Sequence, residues 1–321
     1  METTSNLKSL FTEHWKYMAV NTACKLNLFD AFDNKQLSTN QITEQLNLDK
    51  NALETLLKAL VSINILEASN GLYFLNDSSL QLTEKHPKSL KYASMVWAEE
   101  HLTAWQNLEY SIKTGKSSFN NLKGENYFDY LNSHPKKLDK YHKAMFEYAR
   151  DDYATLPLKV DFKSHKSIID VGGGYGAAIS SIKASYPEIN CALFDLKKVI
   201  ENCNLPKIKV IEGDFFSTIP IGYDAIILSR ILHDWNNEKC KVILEKCFNA
   251  LPKGGTLYII ENCSDLITVD LSLLSLNMLA MCESYERTLS EYNELFCEAG
   301  FIMSSTIQLN ELQTIIIASK P

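Results

Sequence analysis

The sequence predicts an α/β fold, in which a doubly wound, mostly parallel sheet of seven strands follows a helical, winged-helix-like region. Three observations predict this fold. Downstream of residue 166, short runs rich in β-branched residues alternate with helical patterns, as in parallel sheets covered by helices on both faces. A glycine-rich segment follows the first of these runs. Upstream of residue 153, apolar residues recur mainly at helical spacing.

The composition limits the class of protein. The chain has 321 residues, a length that favours two domains. Hydrophobic residues make up 45% and charged residues 22%, proportions that support a packed core and exclude disorder. The net charge of -7 opposes a nucleic-acid partner, because such binding depends on Lys and Arg neutralising phosphates.

No export signal or membrane segment is predicted. Residues 1–9 lack the basic and apolar regions of a secretory signal, and no run reaches the roughly eighteen apolar residues of a membrane span. The eight cysteines are scattered and form no C-x-x-C pair. We therefore expect reduced thiols in a cytoplasmic protein.

The first hundred residues predict short helices and one hairpin. Apolar residues follow helical spacing over 15–32 and form a stripe over 53–61, and a plausible N-cap lies near Thr39. Asn70-Gly71 separates two short apolar runs, the spacing of a hairpin with a tight turn. Helices followed by a hairpin resemble a winged helix.

A helical, aromatic-rich segment leads from this region to the sheet. It covers residues 87–152, with a loop predicted at 114–124. Five β-branched runs predict strands at 167–170, 191–194, 208–211, 224–228 and 256–260. Two further runs, 301–309 and 314–319, follow one another closely and predict an antiparallel pair at the end of the sheet.

The segment Asp170-Val-Gly-Gly-Gly-Tyr-Gly176 connects the first predicted strand to a helix. Its glycines allow a tight turn and a close approach to a ligand, and the helix that follows presents free N–H groups. The pattern also fits a loose dinucleotide fingerprint, so an NAD enzyme is an alternative. The Asp170 carboxylate would attract a cationic amino group and repel a pyrophosphate, which favours S-adenosylmethionine.

Acidic residues also end the second and third predicted strands. Asp195 can accept hydrogen bonds from both hydroxyls of a ribose. Glu212-Gly-Asp-Phe-Phe216 offers a carboxylate for an adenine amino group beside an aromatic ring for its face. Open α/β sheets bind ligands at these carboxyl ends.

His233 follows the fourth strand and is the predicted general base. Histidine titrates near neutrality, and an un-ionised hydroxyl is a poor nucleophile for methyl transfer, so a base at the acceptor raises the rate. Glu261 closes the fifth strand and Glu286 precedes the last helix. Both are predicted to orient the imidazole or to receive charge from it.

Taken in order, these motifs resemble the plant-type small-molecule O-methyltransferase family, which includes caffeic acid and acetylserotonin O-methyltransferases and their bacterial relatives. The resemblance covers nearly the whole chain. It rests on the segments Leu26–Asp30, Asp170–Gly174, Glu212–Phe216, Leu232–Trp235, Leu251–Gly255, Ser275–Leu279, Glu286–Thr288 and Glu298–Phe301.

The resemblance implies roles for individual residues. Contacts to S-adenosylmethionine are implied for Gly172, Asp195, Gly213, Asp214 and Phe215, with Arg230 near the adenosine end and Tyr148 packing beside the cofactor. The general base is His233, held in place by Glu261 and Glu286. Residues expected to face the acceptor molecule are Asn277, Met278 and Asp234.

The resemblance also implies an organisation in three segments. Residues 1–100 would form a winged-helix-like dimerisation domain, 101–155 a helical linker that contributes to the substrate pocket, and 156–321 the catalytic domain. We therefore expect a homodimer that acts on a small molecule and binds neither nucleic acid nor membrane. No metal is expected because a histidine base makes the ion unnecessary, although Asp234 beside His233 could supply one ligand to Mg²⁺.

Two departures from the family and two alternatives accompany this prediction. Ser229 stands where plant members have a lysine, and Asn262-Cys263-Ser264 lacks their proline. A winged-helix regulator is one alternative, but residues 48–61 offer only two lysines against two acids. The other is a protein that binds the cofactor and catalyses a different reaction. The favoured function is O-methylation of a small, aromatic acceptor, with a nitrogen or a carboxyl oxygen as the alternative acceptor atom.

Overall fold

The computed structural model describes residues 7–201, 203–265 and 267–321, and the chain separates into two units, 1–100 and 101–321. A π-helical segment, Trp97–His101, contains the boundary between them. Among the described residues, no helix has the length and apolarity needed to cross a membrane.

The first unit combines short helices with a small antiparallel sheet. Its helices are α1 (Leu7–Leu10), α2 (Glu13–Lys25), α3 (Leu28–Ala31), α4 (Thr39–Leu46), α5 (Lys50–Ser62), α6 (Asp77–Leu80) and α7 (Lys91–Val96). Its strands are β1 (Leu37–Ser38), β2 (Leu66–Ser69) and β3 (Leu72–Leu75), in the order β1-β3-β2. The predicted hairpin is confirmed, since Asn70 and Gly71 both adopt positive φ (52° and 79°) in the turn between β2 and β3.

Helix capping explains where the helices of the first unit begin. The predicted cap near Thr39 lies at Ser38, which forms a capping box with Gln41. Asp49 accepts a hydrogen bond from the backbone N–H of Ala52 and starts α5. The stripe predicted on this helix is buried at Leu53, Leu57 and Leu60, in the core of the unit.

The second unit is a helix-covered sheet. Its helices are α8 (Leu102–Trp105), α9 (Leu108–Thr114), α10 (Ser118–Lys123), α11 (Tyr127–Ser133), α12 (Pro135–Tyr153), α13 (Leu156–Lys159), α14 (Ala177–Ser185), α15 (Lys197–Ile200), α16 (Asn237–Ala250), α17 (Val269–Cys282) and α18 (Leu289–Ala299). Its strands are β4 (Ser167–Val171), β5 (Asn190–Asp195), β6 (Lys209–Glu212), β7 (Ala225–Ser229), β8 (Thr256–Asn262), β9 (Ile302–Gln308) and β10 (Gln313–Ser319).

The strand order confirms the predicted fold class. Over the described residues the sheet has seven strands in the order β6-β5-β4-β7-β8-β10-β9. The first five pair in parallel, and β10 pairs antiparallel with both β8 and β9. Because hydrophobic clusters cover both faces, β4 and β8 are buried along most of their length, as the near-continuous apolar runs predicted.

The predicted loop at 114–124 was wrong in part. It contains α10, which Ser117 caps by accepting a hydrogen bond from the backbone N–H of Asn120 and which Gly124 ends at φ 76°. A helix of six residues is too short to produce a visible apolar period, so only its capping residues could have indicated it.

Candidate active site

A cavity of about 270 Å³ lies at the carboxyl edge of the large sheet. The strand order reverses between β4 and β7, and ligands of open α/β sheets bind at such a reversal. The strand ends form one side of the cavity and residues of α11 and α12 the other. Along α12, the lining residues follow helical spacing: Leu138, Tyr141, His142, Met145, Ala149 and Tyr153.

The glycine-rich segment lines the cavity at positions where a side chain would collide with its neighbours. Gly172 has φ 72°, and a Cβ there would lie 2.6 Å from Cδ1 of Ile231. A Cβ at Gly173 would lie 2.4 Å from Oδ2 of Asp170. The glycines therefore let the backbone approach Ile231 and the buried acid closely at the edge of the cavity.

Asp170 is a fully buried acid that lines the cavity. As far as the described residues go, neither carboxylate oxygen has a donor in full hydrogen-bonding geometry, although the backbone N–H of Ile179 is near enough to lower the pKa of the carboxyl. Burial and the negative charge of Asp195 outweigh this effect and raise the pKa of Asp170 to about 7. A buried carboxylate without partners is costly, and a cationic ligand group in the cavity would stabilise it.

Asp195 lies at the end of β5 and is held by backbone donors. Its Oδ2 accepts from the N–H of Gly174 at 2.8 Å and its Oδ1 from the N–H of Leu196 at 2.7 Å. Burial nevertheless raises its pKa to about 6. Each oxygen keeps a lone pair, so the fixed carboxylate can accept hydrogen bonds from two vicinal hydroxyls.

The segment after β6 is only partly at the cavity. Asp214 and Phe215 line it, and Asp214 Oδ1 accepts from the N–H of Phe216 at 2.8 Å. Gly213 is not among the lining residues; a Cβ there would lie 2.4 Å from Cε2 of Phe194. The cofactor contact at Gly213 stays a prediction, while the close approach of the Phe194 ring explains why this position has no side chain.

His233 lies in a 3₁₀ turn, Leu232–Asp234, directly beyond β7. The side chain lines the cavity but is only 3% exposed. Nδ1 lies 2.9 Å from Oε1 of Glu286. Burial lowers the pKa of His233, but the negative charges of Glu286, Glu261 and Asp234 outweigh it and raise this pKa to about 10.

The hydrogen bond to Glu286 assigns the tautomer of the imidazole. Burial raises the pKa of Glu286, but the charge and hydrogen bond of His233 and a hydrogen bond from Asn262 keep it below its usual value. An ionised carboxylate only accepts, so Nδ1 of His233 donates. In the neutral imidazole the lone pair is then on Nε2, the atom 3.7 Å from Oδ1 of Asp234.

Glu261 acts mainly on the backbone of the turn. Its Oε1 accepts from the N–H groups of Ile231 and Leu232 at 2.9 and 2.8 Å, and its Oε2 is 3.8 Å from Nδ1 of His233. Burial raises the pKa of Glu261 to about 7. The predicted pair of glutamates therefore surrounds His233, with Glu286 on the ring and Glu261 on the main chain.

The same three side chains could present ligand atoms to a metal. One atom each of His233, Glu261 and Glu286 lies within 4.8 Å of the others. In the structure, Nδ1 of His233 is hydrogen-bonded to Glu286. A metal ion bound at Nδ1 would have to replace this hydrogen bond.

Arg230 and Asp234 line the cavity, as predicted. Arg230 adopts φ 54°, an unusual conformation for a residue with a side chain. Beside it, the Ser229 hydroxyl donates to the hydroxyl of Tyr153, another lining residue. Ser229 thus contacts the wall of α12 where plant relatives carry a lysine.

Three predicted contacts do not lie at the cavity. Tyr148 is 37% exposed and falls outside the cavity-facing stripe of α12. Asn277 and Met278 are buried on α17 and are not among the lining residues, although α17 contacts the turn that carries His233. Asn277 Oδ1 accepts from Nε1 of Trp105 at 2.9 Å, so its amide is used in helix packing.

Five residues at or near the cavity were not among the site residues predicted from the sequence. Tyr141, His142 and Tyr153 line the cavity, Asn262 donates to Glu286, and Arg287 contacts the turn that carries His233. Helical spacing along α12 could have indicated the first three. The last two depend on contacts between elements, which no local pattern reveals.

Comparison with known proteins identifies the family. A family model of the O-methyltransferase domain matches residues 105–302, and one of the O-methyltransferase dimerisation domain matches residues 8–85. The chain is 30% identical to 3-amino-4-hydroxybenzoate 4-O-methyltransferase of Streptomyces cremeus, over 98% of this chain and 89% of that protein. It is 27% identical to phenazine O-methyltransferase PhzM of Lysobacter antibioticus, over 94% of this chain and 92% of that protein.

Solved structures agree with the fold. The crystal structure of LaPhzM has a TM-score of 0.95 at 26% identity and covers 100% of both chains. The structure of human N-acetylserotonin methyltransferase in complex with S-adenosylmethionine has a TM-score of 0.89 at 24% identity, covering 100% of this chain and 99% of that one. With its glycine segment, strand-end acids and buried histidine, the chain belongs to the O-methyltransferase family and is an S-adenosylmethionine-dependent O-methyltransferase.

Proposed function

We propose that the protein methylates a hydroxyl group of a small aromatic acceptor and that His233 is the general base. One observation carries this proposal: Glu286 binds Nδ1 of the buried imidazole, which leaves Nε2 of the deprotonated ring as the proton acceptor in a side chain that lines the cavity. A base whose second nitrogen is fixed by a carboxylate is the arrangement that hydroxyl activation requires.

The residues of the glycine-rich edge fit S-adenosylmethionine. Asp170 offers a buried carboxylate without partners to the amino group of its methionine portion, and Asp195 offers two oxygens to the ribose hydroxyls. Asp214 and Phe215 border the place for the adenine. When bound, this cofactor supplies an electrophilic methyl group on a sulfonium.

The side chains around His233 handle the proton of the acceptor. Nε2 removes it from the hydroxyl as the oxygen attacks, which contributes about 10²–10⁴-fold to the rate in general base catalysis. The imidazolium that forms is stabilised by Glu286 at 2.9 Å and by the nearby charge of Asp234. The raised pKa of His233 means that the imidazole retains the proton it has removed.

The cavity wall supports an aromatic acceptor. Rings line it on both sides: Phe128, Tyr141, Phe146, Phe215 and Trp235. Such rings favour flat apolar ligands. Two relatives are named for acceptors of that kind, a hydroxybenzoate and a phenazine.

We propose that the segments of the chain divide this work. Residues 101–155 contribute the helical side of the cavity through α11 and α12, and residues 156–321 contribute the strand ends. Residues 1–100 would mediate homodimer formation, supported by the match of residues 8–85 to a dimerisation domain. Exposed apolar side chains at Leu7, Leu10, Phe11 and Trp15 support the same role.

Product analysis tests the reaction. The protein is incubated with methyl-labelled S-adenosylmethionine and phenols, each paired with its methyl ether as a control that lacks the hydroxyl. We expect label on the phenols and none on the ethers. Label on a ring amine or on a carboxylate, with the hydroxyl unmodified, would contradict the proposal.

We propose that no metal takes part, because the imidazole already provides the base. EDTA is expected to leave the methylation rate unchanged. Loss of activity with EDTA, restored by a divalent ion, would instead assign His233, Glu261 and Glu286 to a metal centre.

A further inference from the structure

Arg287 is a fully buried cation next to the turn that carries His233. Nη1 donates to the carbonyl of Leu232 at 2.8 Å and Nη2 to the carbonyl of Trp235 at 2.6 Å. Nε donates to Oδ1 of Asn237 at 3.0 Å. The planar guanidinium thus contacts three acceptors at once.

The two carbonyls lie on either side of His233 in the chain. Leu232 precedes it, and Trp235 follows the end of the 3₁₀ turn. Glu261 holds the N–H groups of Ile231 and Leu232. Two buried residues therefore hold the main chain that carries the imidazole. Glu261 accepts hydrogen bonds from its N–H groups, and Arg287 donates hydrogen bonds to its carbonyls.

Simple packing does not account for an arginine at this position. Burying a guanidinium costs free energy unless it is paired. Within the described ranges, no carboxylate lies at ion-pair distance from Arg287; its hydrogen bonds go to neutral oxygens, and its Cζ lies 5.3 Å from the centroid of the Tyr285 ring. An apolar side chain in the same space would remove these donors from the carbonyls of Leu232 and Trp235, and a lysine, with a single ammonium, could not replace the two N–H groups of the planar guanidinium.

We propose that Arg287 is a positioning residue that orients His233 through the carbonyls of Leu232 and Trp235. The adjacent residue, Glu286, holds the imidazole ring itself. The pair Glu286-Arg287 therefore fixes both the side chain and the backbone of the base. This inference rests on the proposed function, in which His233 removes the proton of the acceptor.

The variants Arg287→Lys and Arg287→Met test it, with Asn237→Ala as matched control. Asn237 contacts Nε of Arg287 and neither carbonyl of the turn, so its loss leaves both turn contacts in place. Turnover number, KM for the acceptor and Kd for S-adenosylhomocysteine are measured for each. We expect both Arg287 variants to lose about 10–10²-fold in turnover number, because small displacements of a reacting group have effects of that size.

The binding constants separate positioning from general destabilisation. Kd for S-adenosylhomocysteine should stay within about twofold of wild type in both Arg287 variants, since none of their lost contacts reaches Asp170 or Asp195. The Asn237 variant should keep its turnover number. A parallel loss of cofactor binding and turnover, or full turnover in Arg287→Lys, would overturn the inference.

A double-mutant cycle separates failure of this inference from failure of the proposed function. If Arg287 acts through the base, Arg287→Lys should have no further effect on turnover in a His233→Ala background. An equal loss in both backgrounds overturns the positioning role. Unchanged turnover in His233→Ala alone overturns the proposed function instead, whatever Arg287 does.

A second variant covers the case in which neither Arg287 variant folds. Ser284 Oγ donates to the carbonyl of Trp235 at 3.0 Å, so Ser284→Ala removes another donor from the same carbonyl. We expect a severalfold lower turnover number with unchanged Kd. Wild-type turnover in Ser284→Ala would then count against a role of this carbonyl in orienting His233.

Discussion

The imidazole of His233 is buried among three carboxylates, and their charges decide when it can act as a base. Glu286, Glu261 and Asp234 together raise its pKa to about 10 despite burial. The base form is the deprotonated one, so turnover should increase as pH rises through this pKa. The increase should therefore occur well above 6.5, the ordinary value.

Replacing Glu286 by Gln should move this increase to lower pH. The substitution removes a negative charge 2.9 Å from Nδ1, which weakens the preference for the imidazolium and lowers the pKa of His233. The maximal rate should also fall, because the amide orients the imidazole less firmly. Profiles of turnover number against pH, for wild type and variant, measure both effects. An unchanged or more alkaline profile in the variant would contradict this assignment.

Asp170, near the carboxyl end of β4, should make cofactor binding depend on pH. Its carboxyl has a pKa of about 7 and is neutral below that value, so the affinity for S-adenosylhomocysteine should fall as pH drops from 7 to 6. Asp170→Asn should weaken binding by about 1.5–3 kcal/mol, the range of hydrogen bonds to charged groups.

Methylthioadenosine is the matched ligand for this test, because it lacks the amino acid portion that Asp170 would bind. Titration calorimetry of both ligands with wild type and Asp170→Asn measures the difference. We expect the substitution to affect S-adenosylhomocysteine far more than methylthioadenosine. Equal effects on both would remove the assignment of Asp170 to the amino group.

At the scale of elements, the glycine segment between β4 and α14 depends on close packing. A Cβ at Gly173 would lie 2.4 Å from Oδ2 of Asp170 and 2.7 Å from Cδ1 of Leu193. Gly173→Ala should therefore cost about 1–3 kcal/mol of folding free energy, as overpacking does, and should displace the acid. Thermal unfolding and binding of S-adenosylhomocysteine measure the two effects.

Gly124→Ala is the control for this substitution. Gly124 has φ 76° but open space around its Cβ position, so alanine there meets backbone strain without a collision. Its cofactor affinity should equal that of wild type. If Gly173→Ala binds S-adenosylhomocysteine as tightly as Gly124→Ala does, close packing at Gly173 is not needed for the site.

Much of this edge of the sheet could be predicted from sequence because its signals are local. β-branched runs predicted the strands, and the position of an acid or a histidine just after a strand predicted Asp195 and His233 at the cavity. Asn277 and Tyr148, which were also predicted to contact ligands, are not among the cavity-lining residues, because the side on which a helical residue lies depends on packing between elements. Asn262 and Arg287 were missed for the same reason, since their partners are distant in the chain.

At the scale of the whole molecule, the exposed apolar side chains near the N-terminus bear on assembly. Leu7, Leu10, Phe11 and Trp15 are each between 61% and 65% exposed, and most of them lie in the segment matched by the dimerisation model. The double variant Phe11→Glu, Trp15→Glu should shift the protein toward monomer, because charges would be buried in the interface.

Light scattering after size exclusion measures this shift. Leu158→Glu is the control, since Leu158 is also an exposed apolar residue, at 83%, but lies on α13, outside the matched segment. It should leave the mass unchanged. A wild-type protein that is monomeric at micromolar concentration, or a double variant that stays dimeric, would contradict the proposed role of residues 1–100.

The most direct test of the account is single-turnover methyl transfer by His233→Ala, measured with saturating cofactor and a phenol that the wild type methylates. The rate should fall by about 10²–10⁴-fold, the contribution of a general base, while Kd for S-adenosylhomocysteine stays at the wild-type value. A rate within about threefold of wild type would contradict the claim that His233 removes the proton of the acceptor.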